Sequence, residues 1–233
     1  MKVYQLESDF NFSWEWRVIL KREEDQRLSV ISALNNRKKI EIANHDQIEM
    51  LLINKEEKEL RKEEPFLADM IYWTDDITLN AYNANQGVVI STKLKDILSK
   101  YKLPKHNIYP LKIINTETLD VNLDYHLLHI YGSISDITLF AESEYTLQNI
   151  IDLTIIQKNI GVYKDFQEFS IERKKNIRNK NIVTEITKRV IQTTYDVMPS
   201  YSNNIYVSEK LVAEKDKLTG VVFNELEDIV IKE

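Results

Sequence analysis

The order of apolar and polar residues predicts two similar strand–helix–strand units that lie far apart in the chain. Apolar runs at residues 88–90 and 205–207 are followed by Ser91 and Ser208, and each serine begins the sequence S-x-K-L. A serine at this place can cap a helix, because its hydroxyl accepts a hydrogen bond from an otherwise unsatisfied amide. Return strands are predicted at residues 107–111 and 221–226. In the first unit, an apolar stripe at helical spacing contains Leu94, Ile97, Leu98 and Tyr101.

The remaining pattern predicts short strands and little helix. Further strands are expected at residues 2–6, 14–20, 29–42, 108–114, 125–131, 134–140 and 166–169. Asn44 and Gln47 form a capping-box arrangement ahead of Ile48, Leu51 and Leu52, so a helix is predicted there, followed by a charged helix over residues 55–64. Residues 147–156 and 182–191 fit either a strand or a helix. The predicted fold is α+β, mixed, with a largely antiparallel sheet and a few short helices.

The domain organisation predicted from the chain has two parts. Residues 1–64 are expected to form an N-terminal strand and helix region that can pack on the rest, and residues 65–233 to form the main α+β domain. Pro65 ends or bends the charged helix at this boundary, because proline lacks the amide that a helix interior needs.

Composition and charge narrow the function classes. The 233 residues carry a formal net charge of −6, which disfavours a general nucleic-acid binder and suits a basic partner. With no cysteine, the chain has no disulfide, thiolate metal site or cysteine nucleophile. The four glycines lie too far apart for a phosphate-cradling loop. No signal-peptide pattern or long apolar segment is present, so a cytoplasmic location is expected.

The residues that could form a metal-binding, catalytic or phosphate-binding site give only weak signals. His126 and His129 are three residues apart in a predicted strand, where they would point to opposite faces and could not share a metal. The segment Glu56-Glu57-Lys58 falls in a charged helix, and Asp75-Asp76 resembles a turn or a helix cap. Residues 171–189 are rich in cations, and we expect a basic loop there that could bind phosphate. The patterns assign no catalytic, cofactor-binding or metal-binding residue.

Six segments in order along the chain resemble one protein family. They are V-V-I-S-T-K-L-K-D-I-L (88–98), N-I-Y-P-L-K-I (107–113), Y-H-L-L-H-I-Y-G-S-I-S-D (125–136), A-E-S-E-Y (141–145), N-I-Y-V-S-E-K-L (204–211) and L-T-G-V-V-F-N-E-L (218–226). Together they resemble the immunity-protein family of bacterial polymorphic toxin systems that is usually numbered eleven, and its relative numbered forty-three. The resemblance spans roughly residues 65–226 and departs from the family pattern at His126 and His129.

The resemblance implies a binding protein and not an enzyme. It implies a cytoplasmic immunity protein, without a cofactor, that binds and neutralises a cognate toxin, which is expected to be encoded by the adjacent gene. It locates no toxin-binding residue, and it leaves open whether the active site is occluded or the toxin is trapped without contact there. Two alternatives remain from the residues: a metal-dependent hydrolase or nuclease with an unrecognised site, and a nucleic-acid-binding accessory protein that uses the cations between Arg173 and Arg189.

Overall fold

The computed structural model describes residues 1–8, 15–19, 49–53, 70–71, 88–115, 121–200 and 205–232. The predictions made for residues 29–42, 55–64 and 75–76, and the domain boundary at residues 64–65, lie outside the described residues. In the described part the strands are β1 (Val3–Ser8), β2 (Glu15–Ile19), β3 (Glu49–Ile53), β4 (Met70–Ile71), β5 (Val88–Ser91), β6 (His106–Asn115), β7 (Val121–Ile130), β8 (Glu144–Asn149), β9 (Ile155–Lys158), β10 (Ile182–Gln192), β11 (Val197–Pro199), β12 (Ile205–Ser208), β13 (Val221–Glu225) and β14 (Ile229–Lys232). The helices are α1 (Thr92–Leu98), α2 (Phe166–Lys180) and α3 (Glu209–Val212).

The described strands form sheets of mainly antiparallel pairs, which confirms the predicted α+β class. One sheet has the order β2-β3-β6-β7-β5-β4, a second β11-β12-β1-β13, and a third β14-β10-β8-β9. Parallel pairing occurs between β3 and β6 and between β10 and β14. Short 3-10 turns occupy Ile134–Ile137, Phe140–Glu142 and Lys215–Lys217.

The chain divides into two compact units, each assembled from separate segments. The smaller unit comprises Met1–Val3, Ser133–Thr194 and Glu225–Glu233, and the larger unit comprises Tyr4–Gly132 and Tyr195–Asn224. The core of the larger unit gathers aliphatic side chains from β1, β5, α1, β7, β11, β12 and α3. In the smaller unit, Phe140, Tyr145 and Phe169 form an aromatic core where α2 packs against the sheet.

Both predicted strand–helix–strand units are present, as β5–α1–β6 and β12–α3–β13. Ser91 caps α1 as expected, because its hydroxyl accepts a hydrogen bond from the Leu94 amide at 3.0 Å. The predicted apolar stripe of α1 is buried at Leu94, Ile97 and Leu98. Ser208 occupies the matching place before α3 but makes no side-chain cap bond.

Three predicted elements are wrong. Residues 49–53 form β3 and not a helix, because a short apolar run fits either pattern and pairing with β2 and β6 decides between them. Residues 134–140 do not form a strand, since Ser133 and Asp136 complete a capping box that folds them into a 3-10 turn.

Residues 166–169 begin α2 and are not a strand, because the Asp165 carboxylate accepts a hydrogen bond from the Glu168 amide at 2.9 Å and caps the helix. The cation-rich segment that was expected to be a loop forms the second half of α2, because it continues this capped helix. Residues 182–191, for which a strand and a helix were both left open, form a strand.

Candidate functional site

His126 and His129 lie in β7, where their spacing of three directs them to opposite faces. His129 is fully buried, whereas His126 is half-buried with its Nε2 atom 3.0 Å from Thr92 Oγ1 and 3.2 Å from Lys95 Nζ. The structure therefore does not bring the two imidazoles together. Within the described residues, no group of three or more His, Cys, Asp or Glu side chains is placed to hold a metal ion.

The cation-rich stretch is divided between α2 and β10, and several of its cations serve the fold. Arg173 donates to the Thr184 carbonyl at 3.2 Å and to Glu185 Oε1 at 2.9 Å. Arg189 is buried and donates to Thr138 Oγ1 at 2.9 Å. Lys188 Nζ lies 3.1 Å from Glu144 Oε1. These contacts pair three of the seven cations of the stretch with other groups of the smaller unit.

A polar cluster in the larger unit surrounds Asp196, which is largely buried. Its carboxylate accepts hydrogen bonds from the Lys102 amide at 3.1 Å, Ser208 Oγ at 3.3 Å and Lys210 Nζ at 2.8 Å. Burial by itself raises the pKa of Asp196, but these donors outweigh it and hold the pKa below its usual range. The donors come from the turn after α1 and from the start of α3, so the cluster joins the two strand–helix units.

The feature that calls for a functional explanation is the β8–β9 hairpin of the smaller unit. Five aliphatic side chains on it are exposed, and we call them the hairpin patch: Ile150, Ile151, Leu153, Ile155 and Ile156. Ile151 is 80% exposed and Leu153 is 69% exposed. Single exposed aliphatic residues are ordinary, but several on one short hairpin indicate an interaction surface.

The hairpin turn is held by its own polar side chains. The Asn149 amide donates to the Thr154 carbonyl at 2.9 Å, and Asn149 Oδ1 accepts from the Ile151 amide at 2.8 Å. Asp152 Oδ1 accepts from both the Thr154 amide at 3.0 Å and the Thr154 hydroxyl at 2.7 Å. These bonds lower the pKa of Asp152, chiefly through the Thr154 amide. The exposed side chains therefore project from an ordered turn.

Leu153 adopts a backbone conformation that disfavours it, with a φ of 58°. This left-handed region costs a residue with a Cβ atom about 1–2 kcal/mol. A leucine that is both strained and exposed gains nothing from the fold itself. The strain therefore supports a role for its side chain in binding.

β9 lies at the end of its sheet as the described residues define it, next to β8, and all four of its residues are exposed. A strand in this place presents backbone donors and acceptors along its outer side. Beside it, Ser143, Glu144, Tyr145, Asn159, Gly161 and Val162 line an open depression.

The sequence does not single out this surface, because the apolar run at residues 147–156 also fits a buried element. The signal within it is the pair of turn-forming residues, Asn149 and Asp152, which interrupt the run at the spacing of a hairpin turn. Apolar residues placed at a turn are exposed by geometry, whatever their hydrophobicity.

Comparison with known proteins supplies no assignment. The chain matches no protein-family model, and a search of curated proteins finds no significant similarity. Among the described residues, no helix is long and apolar enough to span a membrane.

Proposed function

We propose that the chain is an immunity protein that acts in the cytoplasm, where it binds and neutralises a cognate bacterial toxin through a protein–protein interface. The observation that carries the proposal is the hairpin patch, an ordered and strained turn that exposes aliphatic side chains. Such a surface suits recognition of another protein, because a few side chains buried at the centre of an interface supply most of its binding free energy.

The motifs behind the family resemblance give the proposal a second support. V-V-I-S-T-K-L corresponds to β5 and the start of α1, and I-Y-V-S-E-K-L corresponds to β12 and the start of α3. The net charge of −6 adds a kinetic advantage against a basic toxin, because opposite charges accelerate encounter.

Co-expression with the product of the adjacent gene tests the proposal. We expect the neighbouring product alone to arrest growth and this chain to restore growth while co-purifying with it. The matched control is the same gene with an early stop codon, which must not restore growth. A harmless neighbour, or a toxic one that kills regardless and never associates, would contradict the proposal.

A failed co-expression test would direct attention to the metal-dependent alternative. Thermal unfolding in the presence of Mg²⁺, Mn²⁺ or Zn²⁺ then gives the next measurement. A rise in the melting temperature that is lost when one acidic residue is replaced would favour a hydrolase or nuclease.

A further inference from the structure

We infer that the tip of the β8–β9 hairpin enters an apolar recess of the toxin, with Ile151 and Leu153 as the inserted side chains. This inference rests on the proposed function and adds the location of the interface.

The shape of the tip argues for a partner of different structure and against a second copy of this chain. At 80% and 69% exposure, Ile151 and Leu153 project outward, so their complement must be concave. A twofold-symmetric dimer places the same patch on both sides of the interface and requires it to complement itself. A convex tip does not meet that requirement.

The size of the patch also argues against a dimer that is held by this patch alone. Ile155 and Ile156 are neighbours in β9 and point to opposite faces, so one side of the hairpin offers at most four of the five side chains, roughly a few hundred Å² of apolar surface. A stable complex buries about 800 Å² on each partner, so the patch is too small to hold a permanent dimer by itself. It has the size of the buried centre of a larger interface, with the remaining contacts made by other surfaces of the chain.

The charged and apolar residues of the tip indicate the polarity of the toxin surface that would fit it. Asp152 is the only charged residue between Asn149 and Gln157, and its carboxylate already accepts two hydrogen bonds from Thr154. These hydrogen bonds do not neutralise the carboxylate, which lies between Ile151 and Leu153. The recess that fits the tip is therefore apolar around the two aliphatic side chains and leaves Asp152 at its rim, facing solvent or a basic group. A carboxylate in the recess would repel Asp152, and burial of Asp152 without a partner would be costly.

The ordered turn favours tight binding. Its backbone is already closed by the bonds of Asn149 and Asp152, so little conformational freedom is lost when the tip is buried. The same bonds keep Leu153 in the left-handed conformation that directs its side chain outward.

Two charge substitutions and one matched control test the inference in the full-length chain. Ile151→Asp and Leu153→Asp are each expected to weaken toxin binding by about 30-fold or more, as for residues at the centre of an interface, and to abolish rescue of growth. Leu123→Asp is the control, because Leu123 is an exposed leucine of the larger unit at 49% exposure, and its affinity should match that of the unsubstituted chain. Thermal unfolding of all three variants checks that each remains folded.

The outcomes separate the two proposals. If the unsubstituted chain neutralises the toxin and both hairpin variants still do so with unchanged affinity, the inference is overturned and the proposed function stands. Equal loss in the Leu123 control also overturns it, since the effect would not belong to the hairpin. If the unsubstituted chain does not bind the toxin, both fail.

Size-exclusion chromatography tests whether a second copy of the chain covers the tip instead of a toxin. A dimer of the unsubstituted chain that Ile151→Asp converts to a monomer would show that a second copy covers the tip, and would overturn the inference. We expect the same elution volume for both proteins.

Discussion

A single carboxylate, that of Asp196, links residues that are distant in the sequence. It receives donors from Lys102 and from Ser208 and Lys210, which belong to different strand–helix units. The cap by Ser91 was predictable because its partner lies three residues away. The role of Ser208 was not, because its hydroxyl donates to Asp196, which only the folded chain brings within 3.3 Å.

Replacement of Asp196 by alanine is expected to destabilise the protein by about 1–3 kcal/mol at pH 7, since the buried Ser208 hydroxyl and the partly buried Lys102 amide lose an acceptor. Because the folded pKa lies below the ordinary value, this carboxylate stabilises the fold above about pH 3.9, its ordinary pKa, and the contribution is lost as the pH falls through the folded pKa. Urea unfolding at pH 7 and pH 3 measures both effects.

The control for this substitution is Asp216→Ala, which removes an exposed carboxylate near α3 and should change stability by less than about 0.5 kcal/mol. A loss for Asp196→Ala that is as large at pH 3 as at pH 7 would contradict an ionised carboxylate as the source.

Leu153→Gly is expected to stabilise the protein by about 0.5 kcal/mol while it weakens toxin binding. Glycine relieves the strain of the left-handed backbone, a gain of about 1–2 kcal/mol, against its own entropic cost of about 0.5–1 kcal/mol. Chemical denaturation and toxin titration give the two quantities. Leu123→Gly is the matched control, because Leu123 lies in β7 and glycine weakens a strand. A destabilised Leu153→Gly variant would count against stored strain.

At the scale of elements, the two strand–helix units are alike in pattern but stabilised differently. Ser91→Ala is expected to cost about 1 kcal/mol through loss of the helix cap. Ser208→Ala acts through Asp196, so it should be non-additive with Asp196→Ala, whereas Ser91→Ala should be additive with it. Double-mutant cycles of unfolding free energy test this. Equal coupling of both serines to Asp196 would refute the distinction.

The elements that sequence reasoning predicted correctly are those with a local cause. The strand β7 and the helix α1 follow from their own apolar periodicity and, for α1, from the serine cap. β3 was mistaken for a helix, because pairing with β6, far along the chain, outweighs the helical spacing of Leu51 and Leu52. The start of α2 is an exception, because its cap, Asp165, is also local and directly precedes the apolar run at residues 166–169, where the pattern predicts a strand.

The hairpin patch illustrates the same limit for the site. Its residues were visible as an apolar run, but exposure depends on where the turn falls and on what packs against the strand. Only the structure shows that Asn149 closes the turn and leaves Ile151 outside it.

At the scale of the whole molecule, the compact units do not follow the linear order of the chain. The smaller unit joins the first residues to the last, since the Leu226 amide donates to the Val3 carbonyl at 2.9 Å and Lys2 Nζ lies 2.8 Å from Glu225 Oε1. This unit consists of separate chain segments, so a single boundary in the sequence does not define it. Contacts between the ends of a chain do not produce a local sequence pattern.

Removal of residues 229–233 is therefore expected to destabilise the smaller unit in particular. β14 pairs in parallel with residues 189–192 of β10 and buries Ile229 and Ile231, so its loss should cost about 3–6 kcal/mol. Hydrogen exchange should show lost protection along β10 and β8, measured against α1 peptides, whose core cluster belongs to the larger unit. Val230→Ala is the control, because Val230 is exposed in the same strand and its loss should leave protection unchanged. Equal loss of protection in the α1 peptides would show that unfolding spreads through the whole chain and that the smaller unit has no stability of its own.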